Sequence, residues 1–260
     1  MVPRILYSIL FISALLSSCK KDGTATVAER PVIISYLVMG HPVKVNIYEQ
    51  KAFSDTAAYG ARIGGLQLQV SDGAQTVALT ETTTGSYTYA DSTFLQTGKT
   101  YTLQFAYKNT VITASSLMPA FTTGYIASRT KFAIRVGVTP AASDSTAVRF
   151  SWNNPDSLYH VLVFKYDEAN TYANGSGNLP SNFTINAKMA EYYDVKYRPF
   201  RYAGGYSAIL YTVNKEYSDI LTTNTNTNSQ QLNNPPGNIT NGYGIFAAMQ
   251  ADTIRLSLTN

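Results

Sequence analysis

The chain has 260 residues, 14% of them charged, with 20 Lys or Arg against 16 Asp or Glu and a formal net charge of +4. Apart from Lys20-Lys21 the basic residues are scattered, so no stripe follows a nucleic-acid backbone and nucleic acid is excluded as a partner. One cysteine and two histidines exclude a disulfide framework and a His/Cys metal set, and the 20 tyrosines with plentiful Thr and Val favour strands over helices.

The first element is an apolar run from Ile5 to Leu16 behind Arg4. It is too short to span a bilayer and has the length of a signal-peptide core. Leu16-Ser17-Ser18-Cys19 follows and resembles a bacterial lipobox, cut just before the cysteine, whose thiol is then diacylated, with palmitate an expected acyl group. Residues 1–18 are therefore expected to be a lipoprotein signal peptide and Cys19 the lipid-bearing residue. An exported chain with a single thiol placed there uses it for attachment rather than for folding. From residue 19 to residue 30 the chain is polar and without period, which predicts a flexible tether.

Residues 31–120 read as an Ig-like β-sandwich. Val32–Val38 is apolar. Val43, Val45 and Ile47 alternate with polar positions, as do Leu66, Leu68 and Val70, and Tyr101, Leu103 and Phe105. A period of two means one buried and one wet face. Asp72-Gly73 between two such runs predicts a hairpin. Ser86–Tyr89 and Val111–Leu117 complete about seven short strands.

The pattern breaks at Pro119 and resumes at Lys131, which predicts a second domain over 128–260, fibronectin type III-like. Val148, Phe150 and Trp152 share one face, so the single tryptophan is expected in the core. Leu158–Tyr166 is apolar on both faces and belongs in the middle of a sheet. Asn214 as an N-cap, Glu216 in the first turn, and Tyr217, Ile220 and Leu221 on one face predict a helix over about 215–223. Gly244–Ala248, a turn at Gln250-Ala251-Asp252 and alternation through Ile254, Leu256 and Leu258 predict a final hairpin.

Along its whole length the chain resembles a family of Bacteroidetes outer-membrane lipoproteins that carry a domain of unknown function. The residues bearing the likeness are the lipobox with Cys19, Val32-Ile-Ile-Ser-Tyr-Leu, Leu66–Ser71, Gly85-Ser-Tyr, Gly98-Lys-Thr-Tyr-Thr-Leu, Tyr217-Ser-Asp-Ile-Leu and Asn238-Ile-Thr-Asn-Gly-Tyr-Gly-Ile-Phe. Gly242-x-Gly-Ile-Phe is the most distinctive of these. Members are often encoded beside TonB-dependent receptors. The resemblance implies an accessory or surface-display role on the outer membrane, facing the surface or the periplasm, with a TonB-dependent receptor or another envelope protein as partner besides the bilayer. It supplies no catalytic residues.

Direct signs of chemistry are few. His41 lies in a turn and His160 at a strand start, neither with a second ligand at metal spacing. Asp167-Glu168 reads as a solvated turn, and no nucleophile elbow or phosphate loop is present. No enzyme, cofactor or metal is expected. The segment Tyr192 to Tyr206 interleaves aromatics with cations, and Tyr192, Tyr193, Tyr197, Arg198, Phe200, Arg201, Tyr202 and Tyr206 form a candidate surface for a ligand or partner. The same tyrosines also suit the cover of an incomplete core, and that reading carries more weight. Five of the ten Asp residues precede Ser or Thr in Asp-Ser/Thr-Thr/apolar triplets, which resemble an O-glycosylation signal at Thr56, Ser92, Ser145, Ser157 and Thr253. Two functions stay open: a non-catalytic accessory binding module, or a structural or adhesive surface component with no specific small-molecule site.

Overall fold

Alternation decides the first half of the molecule. The structure, a computed structural model, describes residues 29–51, 57, 59–135, 144–168, 182–223 and 237–260. The signal segment, Cys19, the tether up to residue 28 and Thr56 lie outside these residues. The first strands are β1 (Val32–Val38), β2 (Val43–Tyr48), β3 (Gln69–Ser71), β4 (Thr76–Ala78), β5 (Thr80–Thr83), β6 (Ser86–Tyr89), β7 (Thr100–Tyr107) and β8 (Thr110–Leu117). In β7 every second side chain, Tyr101, Leu103 and Phe105, is buried, as the period of two requires. The Asp72-Gly73 turn joins β3 to β4, with Ser71 opposite Thr76. The Asp72 carboxylate accepts hydrogen bonds from the Ala74 and Gln75 N–H groups, which holds its pKa below the usual carboxylate range.

The second half contributes β9 (Ile126–Ala127), β10 (Lys131–Ala133), β11 (Thr146–Ser151), β12 (Tyr159–Tyr166), β13 (Phe183–Lys188), β14 (Tyr192–Lys196), β15 (Gly204–Val213), α1 (Lys215–Thr223), β16 (Ile239–Thr240) and β17 (Tyr243–Thr259). The fold is all-β, a sandwich architecture with one short helix among the described residues. A nine-stranded sheet runs in the order β13-β12-β15-β17-β1-β2-β6-β5, with β10 beside β17. A five-stranded sheet, β16-β8-β7-β3-β4, shares one core with β1, β2 and β6 around Ile33, Val45, Tyr87 and Leu103. The three-stranded sheet β14-β11-β9 shares another with β12, β15 and β17 around Phe150, Phe164, Phe200 and Tyr206.

The helix closes the opposite face of the large sheet. Tyr217, Ile220 and Leu221 pack against Val161, Val213, Ile245, Ala247 and Met249, which is why β12 is apolar on both faces. The Asn214 side-chain amide does not turn back onto its own helix. It donates to Ser116 Oγ and to the Leu117 carbonyl, tying the helix start to β8.

Two expectations change at the end of the chain. The predicted hairpin is a single 17-residue strand, β17. Its first part pairs in parallel with β1, from Val32 opposite Tyr243 to Val38 opposite Met249, and its second part pairs antiparallel with β15 from Met249 to Leu258. Phe246 and Ala248 enter the first core and Leu256 and Leu258 the second. Gln250, read as a turn residue, is buried where the strand passes between cores, donating to Thr97 Oγ1 and the Pro119 carbonyl. The alternation fails there because the side chain faces a polar joint rather than either core. The expected extent of the second domain, 128–260, changes accordingly. Residues 239–249 complete the first sandwich, through β16 on β8 and β17 on β1.

Candidate functional site

The aromatic and cationic segment proves to be divided between core and surface. Tyr197, Phe200, Tyr202 and Tyr206 are buried in the second core. Phe200 meets the rings of Phe132, Phe164, Phe183 and Tyr206 at 5.2–5.7 Å, all nearly perpendicular. These four aromatics are therefore not a binding surface. The three-stranded sheet is too narrow to cover the large sheet with aliphatic side chains alone, and large rings fill the space. Tyr192, Tyr193 and Arg198 remain exposed and Arg201 is half-buried. On the outer face of β14, the Arg149 guanidinium lies 4.6 Å from the Tyr192 ring centroid and bonds Asp194 through two nitrogens, at 2.7 and 2.6 Å. That pair keeps the Asp194 carboxyl below its ordinary range.

The structure forms a different concavity, assembled from three separated stretches. Ala120–Thr123, the loop from Trp152 to Leu158, and Glu191 line a cleft of about 490 Å³. Its walls are fixed. Asn153 N–H donates to the Thr123 carbonyl, and Trp152 N–H to that of Glu191. Buried Asn154 clasps its loop, its side-chain amide donating to the Leu158 and Met189 carbonyls while its side-chain oxygen accepts from Leu158 N–H. Trp152 is 4% exposed, packed on Tyr125 and His160, so the expected core role holds while its edge also lines the cleft. Its indole N–H has no partner among the described residues.

Two properties mark this cleft. The Asp156 and Glu191 carboxylates line it with no cation or hydrogen-bond donor on them among the described residues, whereas Asp72, Asp167 and Asp194 each hold a Lys or Arg. Around it stand Phe121 (49% exposed), Ile126 (62%), Met189 (50%), Tyr192 (54%) and Tyr193. They are five of the ten exposed large hydrophobics among the described residues, the others being Tyr36, Met39, Tyr59, Val111 and Leu117 in the first half of the chain. Each of the five around the cleft lies within three positions of a lining residue or is one. No local motif announced the cleft, because its walls come from residues distant in sequence.

Beneath it, Thr122 Oγ1 lies 2.8 Å from His160 Nε2 and 2.7 Å from Thr212 Oγ1, bridging a directly opposed pair of β12 and β15. The other ring nitrogen makes no bond of normal geometry, only a looser approach to the Leu158 backbone. Burial outweighs that approach and pushes the imidazole pKa down to about 4. The unfolded chain therefore takes up a proton below pH 6.5 that the fold refuses until about pH 4, so stability falls as pH drops through that window. A shift of this size corresponds to about 3 kcal/mol. Urea denaturation at pH 7 and pH 4.5 should show the loss, and His160→Gln should lack it. An equal loss in the variant would assign it to carboxylates instead.

His41 lies in its exposed turn, with Nδ1 3.3 Å from the Met39 carbonyl oxygen. Among the described residues no three His, Cys, Asp or Glu side chains converge as a metal site. Of the candidate glycosylation positions, Ser92 is exposed in a turn, Ser145 in a bend, and Ser157 just after the turn at Pro155-Asp156, with a positive φ. Thr253 is exposed too, but lies within β17 opposite Ile209 rather than in a turn.

These features define a class of architecture, β-sandwich sheets sharing one long strand with a cleft beside it. The chain belongs to the family described as a domain of unknown function (DUF4249), which matches residues 23–255. A comparison with curated proteins finds no match. Among solved structures, trypsin-activated α2-macroglobulin from Escherichia coli is 11% identical over 71% of this chain and 14% of its own length, with a TM-score of 0.23. The FN1–FN3 domains of chicken CNTN1 are 10% identical over 88% of this chain and 66% of theirs, with a TM-score of 0.19.

Proposed function

We propose that this protein is a non-catalytic lipoprotein of the outer membrane, held by an acylated Cys19 and serving as an accessory binding module of a TonB-dependent transport system. The observation that carries the binding role is the preformed cleft with its collar of exposed hydrophobic side chains, since contiguous apolar surface on a folded domain marks an interaction site. The non-catalytic part is supported by His160, which is buried, tied to Thr122 and kept neutral rather than presented to a substrate. The lipobox supports the anchor, and the resemblance to lipoproteins encoded beside TonB-dependent receptors supports the context. Affinity isolation of the detergent-solubilised full chain from its native membrane tests the assignment. An outer-membrane receptor component should co-purify in stoichiometric amount, and recovery of the chain alone would overturn it. A second reading, a structural spacer of the cell surface, draws on β17, whose passage through both sandwiches resists bending between them.

The anchor and the sugars share one measurement. Protein from its native host should have an intact mass equal to residues 19–260 plus acyl chains, and Cys19→Ala should move it to the soluble fraction, because two or three chains hold durably where none remain after mutation. Hexose or deoxyhexose increments should accompany the mass if Thr56, Ser92, Ser145, Ser157 and Thr253 are glycosylated. A bare acylated mass would leave those triplets as backbone-bonding residues, as Asp91 is for Thr93.

A further inference from the structure

If the chain is a binding module, as proposed above, the chemistry of its cleft says what kind of group enters. We infer that the cleft receives a basic side chain, Arg or Lys, from an exposed segment of a partner protein whose neighbouring apolar residues rest on the collar.

The charge inside the cleft points to a cation. Asp156 and Glu191 come from different stretches of chain and line the same space, and no Lys or Arg is among the lining residues. The protein as a whole is basic, and several carboxylates elsewhere have protein partners: Asp194 with Arg149, Asp167 with Arg255 and Ser207, Glu81 with the Gly65 and Gly85 N–H groups. The cleft is thus locally acidic on a basic protein, a local field that draws in cations. The aromatic lining agrees. Phe121 offers an exposed ring and Trp152 an edge, and a guanidinium or ammonium is attracted to such faces as well as to carboxylates.

The collar makes the source a protein segment. Ile126 and Tyr192 sit on the outer face of the three-stranded sheet, both opposite Ser151, and Met189 stands exposed in the turn after β13. An isolated amine fills the cavity and leaves that surface wet, whereas a chain segment covers both. A buried charged anchor ringed by apolar contact is the usual composition of a protein–protein hot spot.

Trp152 is the sole tryptophan and lines the cleft, so its emission reports occupancy in the full chain. The probes are a capped Leu-Arg-Leu tripeptide, the neutral isostere with citrulline in place of Arg, and capped arginine alone, titrated at low salt. Leu-Arg-Leu should shift the emission saturably. The citrulline peptide should bind about tenfold more weakly or worse, and so should the Asp156→Asn/Glu191→Gln double variant, with an unchanged melting temperature. Capped arginine should also be about tenfold weaker, since it cannot reach the collar, and Met189→Ser should remove most of the tripeptide's advantage. Equal binding of the citrulline peptide, or undiminished binding by the double variant, overturns charge recognition. Capped arginine as tight as the tripeptide makes this a small-amine site and overturns the docking surface, and no response to any probe overturns both. The double variant used as bait on native membranes separates the two levels. A receptor component still recovered leaves the accessory function standing and removes this cleft from it.

Discussion

Phe200→Ala is expected to lose about 3–5 kcal/mol of folding free energy, and Tyr192→Ala under about 1 kcal/mol. Both residues belong to one stretch that alternates aromatics and cations, and the sequence treats them alike. The structure does not. Phe200 is 1% exposed, and its ring is met edge-on by four others, from Phe132, Phe164, Phe183 and Tyr206. Truncation removes the transfer free energy of a whole ring and leaves a cavity that the surrounding strands cannot close, because β10, β12, β13 and β15 are fixed by their own ladders. Against an ordinary domain stability of roughly 5–15 kcal/mol that is a large fraction. Tyr192 loses only its exposed stacking with Arg149, roughly 0.5–1 kcal/mol, and Arg149 keeps Asp194. Urea midpoints at constant slope measure both. A Tyr192→Ala loss as large as that of Phe200→Ala would mean that the outer face of β14 is covered rather than open.

The same contrast shows where the sequence is legible. Strand β7 and the Asp72-Gly73 hairpin could be read from residues alone because their physics is local: a period of two, and a turn that Asp and Gly both favour. The helix Lys215–Thr223 was equally readable, since the face of Tyr217, Ile220 and Leu221 is set by helical geometry whatever it packs on. Tyr197, Phe200, Tyr202 and Tyr206 could not be sorted from Tyr192 by type, because interfaces and aromatic cores draw on the same residues. What separates them is the position of the large sheet opposite, a long-range fact. Gln250 misled for a related reason: a polar residue on the inward face normally ends a strand, and here it marks the crossing between two cores. The cleft was invisible because Phe121, Asp156 and Glu191 meet only after three distant stretches have been bonded together.

Gly244→Ala should be the most damaging single-methyl change, at about 2–4 kcal/mol, although it adds volume instead of removing it. Gly244 sits in β17 opposite Ile33 with φ +102, a left-handed conformation that costs an L side chain. A Cβ built there would also lie inside the contact distance of the Ile33 carbonyl oxygen, and backbone cannot swing aside as a side chain can. The parallel pairing of β1 with β17 must open to admit it. Gly242, two positions earlier, differs in degree: its φ is not positive, and its Cβ would meet the Ile239 Cγ2 methyl at 2.7 Å and the Pro31 carbonyl oxygen only at 3.1 Å, so Gly242→Ala should lose less, about 1–2 kcal/mol. Together they explain the Gly242-x-Gly-Ile-Phe element, in which the glycines admit β1 and Phe246 fills the core behind it. Because β17 is continuous into the second sandwich, Gly244→Ala should lower the midpoint of one cooperative transition, followed equally by circular dichroism and by Trp152 emission. Two separate transitions, with Trp152 unfolding at the wild-type midpoint, would show that the sandwiches fold independently and that the shared strand does not couple them. An unchanged midpoint by both probes would mean that β1 does not approach β17 as closely as the structure places it.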